Sequence, residues 1–161
     1  MNEAIKINKT GVWAYRLFAQ QFVSHPIEKV FEFYASAENL NLITPPLLEF
    51  KILSDSKIII KEGSIIKYKL KLHGFPIKWV SKITNWNPPH EFIDTQIKGP
   101  YMKWNHLHEF KETEEGTAIY DYVDYIVPGG SLIHSIFVKK NLLTIFNYRK
   151  DILETIFDRK E

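Results

Sequence analysis

A tryptophan, two histidines and a phenylalanine occur at every second position of one segment: Trp104, His106, His108 and Phe110. Because successive side chains of a strand point to opposite faces, these four residues are predicted to share one face. The large aromatic residues at both ends indicate that this face is the interior. Two buried imidazoles could hold the polar end of a ligand, transfer protons as acid and base, or bind a metal. Alternatively, both are satisfied by Asp or Gln side chains on a neighbouring strand.

The preceding predicted strand, residues 90 to 98, carries two polar candidates on one face, Asp94 and Gln96. In an antiparallel sheet they could lie beside His106 or His108. A carboxylate there would raise the pKa of an imidazole and fix its tautomer. The candidate catalytic residues are therefore His106, His108 and Asp94. Both faces of this strand are mixed, so its odd-numbered residues could point inward instead.

A His-x-His pair on a strand can supply two ligands to zinc, as in catalytic sites with three protein ligands. No third ligand occurs at a spacing typical of such a site, so the sequence predicts neither a metal nor another cofactor. Cysteine is absent, which excludes disulfides, thiolate metal sites and a cysteine nucleophile. The sequence also lacks a Gly-x-Ser-x-Gly motif and a Gly-rich phosphate loop.

Other charged residues could reach the same interior. Asp121 and Asp124 fall on opposite faces of the last predicted strand, so one of them is expected to be exposed. Arg149 lies on the apolar stripe of the C-terminal helix, where a cation is costly unless it is paired. It is expected either to meet a carboxylate or a ligand oxygen, or to extend to solvent at the cavity mouth, and we favour the second.

The elements that must position these residues follow from composition and periodicity. Residues 1 to 11 are predicted to be a weakly ordered lead-in. Aromatic and β-branched residues predict a first strand from Trp13 to Ser24. Pro26 then suits the first turn of a short helix, and a second short helix from Ala37 to Ile43 is predicted to end before Pro45-Pro46.

Alternating apolar and polar residues from about 47 to 127 predict some six strands with short connections, and a helical period returns from about Leu132 to Phe157. We therefore predict an α+β fold, in which a curved antiparallel sheet of six to seven strands wraps around one long C-terminal helix. A length of 161 residues fits a single domain, 1 to 161. Because a helix is only about 10–12 Å across, an apolar cavity is expected beside it, unless aromatic side chains fill the space.

Charge and hydropathy limit the classes of partner. The formal net charge is +2, and acidic and basic residues are interleaved, so no nucleic-acid partner is predicted. No apolar stretch is long enough for a membrane span, and the N-terminus lacks the apolar region of a signal peptide. We expect a cytoplasmic protein.

Several motifs resemble the START-like, or SRPBCC, superfamily of the birch-pollen-allergen-like proteins. The resemblance is strongest to its bacterial branch of ligand-binding SRPBCC domain proteins, related to polyketide cyclase/dehydrase proteins. It rests on four stretches: Pro26-Ile27-Glu28-Lys29-Val30-Phe31, Gly99-Pro100 through Phe110, Asp121-Tyr122-Val123-Asp124-Tyr125 and Ile145-Phe146-Asn147-Tyr148-Arg149. The resemblance implies a helix-grip fold that binds a hydrophobic small molecule.

Two hypotheses of function follow. The favoured one is a carrier or sensor that binds a hydrophobic small molecule or lipid in the internal cavity. The alternative is a cyclase/dehydratase-type enzyme acting on a polyketide-like substrate, with His106 or His108 moving protons. A third class, an interaction module using the sheet exterior, has no surface patch in its favour. The predicted ligand-binding residues are Tyr68, Trp79, Gln96, Trp104, His106, His108, Phe110, Tyr122, Phe146 and Arg149.

Overall fold

A computed structural model describes residues 4–54 and 59–157 of the chain. Over these residues, eight strands form one antiparallel sheet in the order β1-β2-β8-β7-β6-β5-β4-β3. The strands are β1 (Ala4–Gly11), β2 (Ala14–Val23), β3 (Lys51–Ile52), β4 (Ile65–Leu72), β5 (Phe75–Asn87), β6 (Glu91–Lys98), β7 (Lys103–Thr113) and β8 (Gly116–Ile126). The helices are α1 (Ile27–Tyr34), α2 (Asn39–Leu42), α3 (Gly130–Ile133) and α4 (Lys139–Phe157). A 3-10 turn covers Pro46–Leu48, and a π-helical turn, His134–Val138, joins α3 to α4.

Helix α1 buries one apolar stripe against the sheet. Ile27, Val30, Phe31 and Tyr34 have the spacing of a single helical face, and all four are buried. Pro26 precedes the helix, where its fixed φ and missing N–H cost nothing. The ring of Phe31 meets that of Phe110 on β7 edge to face, with centroids 5.5 Å apart. The helix thus closes one end of the sheet.

Helix α4 packs into two clusters of buried residues. Leu142 and Phe146 belong to a cluster with Trp79 and Trp104, whereas Leu153 belongs to a cluster that contains the α1 stripe. The pairing of β5 with β6 shifts register at two places, irregularities of the kind that bend and twist a sheet. A curved sheet around a long C-terminal helix is the helix-grip arrangement that the sequence predicted. No helix in the described part of the chain is long and apolar enough to cross a membrane.

The turn between β7 and β8 sets the register of the two strands that carry most of the candidate site. Gly116 begins β8 with φ +152°, and a Cβ there would collide with the carbonyl oxygen of Val23. Thr113 Oγ1 donates a hydrogen bond to the Gly116 carbonyl across the turn, at 3.0 Å. Glycine is therefore required by both the backbone conformation and the close approach of β2.

The strand count is higher than predicted because one strand was missed. The prediction of a weakly ordered lead-in over residues 1 to 11 is wrong for Ala4–Gly11, which pairs with β2 along its length. The exposed residues Lys6 and Lys9 interrupt the apolar pattern by which a strand is predicted. Charged side chains of this kind are common on edge strands. Met1–Glu3 lie outside the described residues.

Candidate ligand-binding site

His106 and His108 point from β7 toward α4 and are buried. Their rings stack on each other, with centroids 3.7 Å apart. The antiparallel register places Asp94 of β6 directly opposite His106, and Asp121 of β8 directly opposite His108. Three neighbouring strands thus bring two imidazoles and two carboxylates together. We refer to Asp94, His106, His108 and Asp121 as the polar cluster.

Each carboxylate of the polar cluster contacts both rings. Asp94 Oδ2 accepts a hydrogen bond from His108 Nε2 at 2.9 Å and lies 3.5 Å from His106 Nδ1. Asp121 Oδ1 accepts a hydrogen bond from His106 Nε2 at 2.7 Å. The same oxygen is 3.0 Å from His108 Nδ1, although this contact does not have hydrogen-bond geometry. All four imidazole nitrogens therefore face a carboxylate.

These contacts determine the charges in the interior. Burial would raise the pKa of Asp121, but the contacts with His106 and His108 outweigh burial and hold that pKa far below its usual range. Burial would raise the pKa of Asp94 too, but the hydrogen bond from His108 and the charges of the neighbouring cations together lower it. Both carboxylates are therefore ionised at neutral pH.

The two histidines are shifted in opposite directions. Burial disfavours charge on His108, but Asp121 and Asp94 outweigh burial and raise the pKa of its imidazole. For His106, burial and the neighbouring His108 lower the pKa despite the same carboxylates. One ring is thus the preferred site of a proton, and the other is preferentially neutral.

Arg149 reaches the polar cluster from α4. Its side chain is only 13% exposed, and Nη1 lies 3.9 Å from Asp121 Oδ1. The prediction that Arg149 extends to solvent is therefore wrong. The guanidinium carbon lies 4.9 Å from the centroid of the Phe146 ring. Arg149 Nε and Nη1 are buried and have no hydrogen-bond partner in the described structure. The cation is close to a carboxylate but only partly satisfied.

An internal cavity of about 150 Å³ is lined by Asp94, His106 and His108 of the polar cluster and by aromatic and aliphatic side chains. Predicted ligand-binding residues on the walls are Tyr68, Trp79, Trp104, Phe146 and Arg149. The Trp79 and Trp104 rings meet edge to face at 5.2 Å between centroids, so aromatic packing reduces the expected space without closing it. Tyr34 also lines the cavity, and its buried hydroxyl has no hydrogen-bond partner in the described structure.

A larger groove of about 630 Å³ lies beside the cavity, between α4 and the segment from α2 to Phe50. Its lining includes Pro45, Tyr148 and Ile152. Thr44 and Phe50 line both the groove and the inner cavity. These two residues therefore lie where the groove meets the inner cavity.

Three predicted ligand-binding residues lie away from the cavity. β6 stops pairing with β7 after Thr95, so the side chain of Gln96 instead holds the following turn and donates a hydrogen bond to the Tyr101 carbonyl at 2.8 Å. Tyr122 packs on Phe18 on the outer face of the sheet, because Asp121 takes the inward position of β8. Phe110 faces inward but packs against the α1 stripe, beyond the cavity walls.

Two residues of the site, Asp121 and Tyr34, were not among the predicted site residues, and the sequence analysis left open whether Asp121 or Asp124 is exposed. Asp121 alternates with Ile119, Val123 and Tyr125, which are all buried, and this apolar alternation was a usable signal for its inward face. Tyr34 belongs to the apolar stripe of α1 and could not be distinguished from the core.

Comparison with solved structures shows the fold. A protein of Rhodobacter sphaeroides superposes with a TM-score of 0.70 at 14% identity, covering 98% of this chain and 100% of that one. A protein of Chromobacterium violaceum gives 0.71 at 12% identity, with 90% and 98% covered. Ginseng major latex-like protein 151, from Panax ginseng, gives 0.67 at 13% identity, with 91% and 99% covered.

No curated protein matches the sequence significantly. The model of the family described as polyketide cyclase / dehydrase and lipid transport matches residues 23–147, which include every strand from β3 to β8 and the start of α4. The superpositions over nearly the whole of both chains agree with the helix-grip fold that the resemblance implied. The chain therefore belongs to the polyketide cyclase / dehydrase and lipid transport family, within the SRPBCC superfamily.

Proposed function

We propose that the protein binds a hydrophobic small molecule in the internal cavity, as a carrier or sensor, with the polar end of the ligand at Arg149 and Tyr34. One observation carries this proposal. The buried Nε and Nη1 of Arg149 and the Tyr34 hydroxyl belong to cavity-lining residues and have no hydrogen-bond partner in the described structure. Buried donors are rarely left unpaired, and a ligand oxygen would pair them.

The walls favour an apolar body on this ligand. Tyr68, Trp79, Trp104 and Phe146 supply aromatic surface, and apolar contacts of this kind contribute about 25 cal/mol per Å² buried. A cavity of about 150 Å³ accepts a molecule about the size of benzene. A longer ligand would extend past Thr44 and Phe50 into the outer groove.

Native mass spectrometry of protein purified directly from cells tests this proposal. We expect an apolar molecule to co-purify and to be lost when the cavity is filled by Leu142→Phe. The matched control is Leu143→Phe on the same helix, because Leu143 does not line the cavity and should keep the molecule. Equal loading of both variants, or no bound molecule together with no binding of fluorescent fatty-acid or steroid probes, would contradict the proposal.

A matched pair of arginines tests the polar end. Arg149→Gln is expected to weaken binding of the co-purified molecule, or of the probe that binds, about tenfold or more, since a hydrogen bond to a charged group contributes about 1.5–3 kcal/mol. Arg16 pairs with Asp124 on the outer face of the sheet, so Arg16→Gln should leave affinity unchanged. Equal affinities of the two variants would place the ligand elsewhere.

A second candidate function is a cyclase/dehydratase-type reaction, favoured by the opposite pKa shifts of His106 and His108. A neutral base beside a protonated acid is the arrangement that acid–base chemistry requires. His106 would take the proton from a carbon next to a carbonyl, and His108 would give its proton to a hydroxyl on the next carbon. The C–H and C–O bonds break, a C=C bond forms and water leaves.

Turnover of a β-hydroxyketone substrate tests this second candidate. His106→Gln and His108→Gln are each expected to lower the rate about 100-fold or more, the usual contribution of a positioned acid or base. His90→Gln, a change of an exposed histidine, is the control. Wild-type rates in both cluster variants would exclude acid–base catalysis by these residues.

A further inference from the structure

We propose that Asp94, His106 and His108 form a binding site for one divalent transition-metal ion, such as zinc, at the wall of the cavity. Each of the three offers a ligand atom, and these atoms lie within 4.8 Å of one another. This inference is independent of the hydrophobic ligand, because it rests on the polar cluster alone.

The spacing of the donor atoms suits a metal ion. Ligands about 2.0–2.1 Å from a tetrahedral zinc lie about 3.3 Å from one another. Asp94 Oδ2 lies 2.9 Å from His108 Nε2 and 3.5 Å from His106 Nδ1, values on either side of that separation. Because the two rings stack at 3.7 Å with an angle of 29° between their planes, they must turn apart for both lone pairs to point at one ion. Two imidazoles with one carboxylate form a common ligand set for zinc and iron.

Asp121 supplies the second observation. It contacts the other nitrogen of each ring, at 2.7 Å from His106 Nε2 and 3.0 Å from His108 Nδ1. Metal-bound histidines usually donate their second N–H to a carboxylate, which fixes the ring orientation and the tautomer. When His106 Nε2 donates to Asp121, its Nδ1 presents a lone pair toward Asp94 Oδ2. In the metal-free protein His108 Nε2 donates to Asp94 Oδ2. A metal ion would replace that proton, with His108 Nδ1–H turning to donate to Asp121.

The net charge of the site and its opening to the cavity also suit a divalent ion. With neutral imidazoles, Asp94, Asp121 and Arg149 carry a net charge of −1, so a divalent ion is attracted. All three proposed ligands line the cavity, which leaves a coordination position for water or for a ligand oxygen. The sequence predicted no metal because the third ligand lies on a neighbouring strand, at no fixed spacing from the His-x-His pair.

Cobalt(II) titration of the full chain, freed of metal with a chelator, tests the site. We expect visible ligand-field absorption that saturates at one equivalent and disappears when zinc is added. Asp94→Asn should weaken cobalt binding about 100-fold, and Asp121→Asn about 10–100-fold, as is typical when an outer partner of a ligand is lost. Asp124→Asn, on the outer face of the same strand as Asp121, should bind as the wild type does.

Histidine NMR on the unmodified protein makes the result independent of variant folding. Zinc is expected to shift the ring resonances of His106 and His108 and to leave those of His134 and His90 unchanged. The proposal is overturned if folded wild type shows no ligand-field absorption with excess cobalt, or if Asp94→Asn binds as tightly as Asp124→Asn. It is equally overturned if zinc shifts only exposed histidines.

Discussion

Histidines are buried in two regions of this molecule, and their neighbours differ. His134, in the turn before α4, stacks on Tyr15 with ring centroids 3.5 Å apart, and its Nε2 hydrogen-bonds the hydroxyl of Tyr125 at 3.0 Å. His106 and His108 also touch aromatic rings, but two carboxylates flank them. Burial is nearly equal in the two regions, at 4–5% exposure.

The difference separates the effect of burial from the effect of a charged partner. Burial, followed by the positive charge of Lys139, lowers the pKa of His134 and favours its neutral ring. In the polar cluster, the carboxylates outweigh burial for His108 and raise its pKa, whereas burial and the neighbouring His108 outweigh them for His106. Aromatic neighbours therefore leave the pKa of buried His134 lowered, whereas carboxylate neighbours are able to raise the pKa of a buried histidine, as they do for His108.

The largest effect is expected from Asp121→Asn, which removes the carboxylate shared by both rings. We expect the free energy of unfolding to fall by about 3–5 kcal/mol, because buried Arg149 loses the carboxylate beside it and each histidine loses one of its two carboxylates. Urea denaturation of the metal-free protein measures this change. The matched control, Asp124→Asn, breaks an exposed pair with Arg16 and should cost about 1 kcal/mol or less. Similar losses in the two variants would mean that the polar cluster is not electrostatically coupled.

The next effect concerns His134 and the pH dependence of stability. Because the folded-state pKa of His134 is lowered, the unfolded chain binds the proton more tightly, so stability falls as pH drops below the unfolded value of about 6.5. In His134→Gln, which keeps a polar atom near Tyr125, this loss should disappear. The slope of unfolding free energy should change by up to about 1.4 kcal/mol per pH unit. Unaltered slopes between pH 7 and 5 would show that His134 is not held neutral.

His108→Gln is expected to act in the opposite direction and more weakly, because the coupled His106 shares the proton. The raised folded-state pKa of His108 contributes stability below pH 6.5 that is lost as pH rises through the folded value. As pH rises from about 6.5 through the folded-state pKa of His108, the metal-free wild type should therefore lose stability that His108→Gln does not lose. Urea unfolding at several pH values measures the slope of the unfolding free energy against pH for each protein. If His134→Gln and His108→Gln change this slope with the same sign, the contrast between the two regions is wrong.

Arg149→Gln is expected to have the smallest effect on stability, within about 1 kcal/mol. The variant loses an attraction to Asp121 at 3.9 Å but also removes a buried cation whose Nε and Nη1 are unpaired, and the two changes offset each other. Thermal and urea unfolding of the ligand-free protein measure this balance. A loss above about 3 kcal/mol would mean that Arg149 is a structural partner of Asp121 and not a ligand contact.

The sequence predicted the interior face of β7 because Trp104 and Phe110 mark its apolar side. It also placed Asp94 within reach of the histidines by treating β6 and β7 as antiparallel neighbours, and the register pairs Asp94 with His106. It did not determine which face of β6 points inward, because that depends on the bulges of β5 and β6. The position of Arg149 depends on the rotation of α4, which one polar residue on an apolar stripe does not determine.

The size of the cavity could not be predicted from the sequence either. An empty space was expected from the width of one helix against the sheet, but its volume depends on ring orientations. Trp79 illustrates this: its Nε1 donates a hydrogen bond to Ser81 Oγ at 3.1 Å, and this contact helps to fix the indole against Trp104. Rotamers of this kind follow from packing in three dimensions and not from residue spacing.

The tight connection at Thr113–Gly116 has a consequence for how this protein could be altered. Side chains on a strand alternate with a period of two, so sliding β7 by one position against its neighbours would turn His106 and His108 out to solvent and bring Asn105 and Leu107 inside. Inserting a single residue near Glu114-Glu115, far from the cavity, therefore threatens the interior chemistry more than many substitutions beside it. Attempts to graft or lengthen surface loops should leave this hairpin intact.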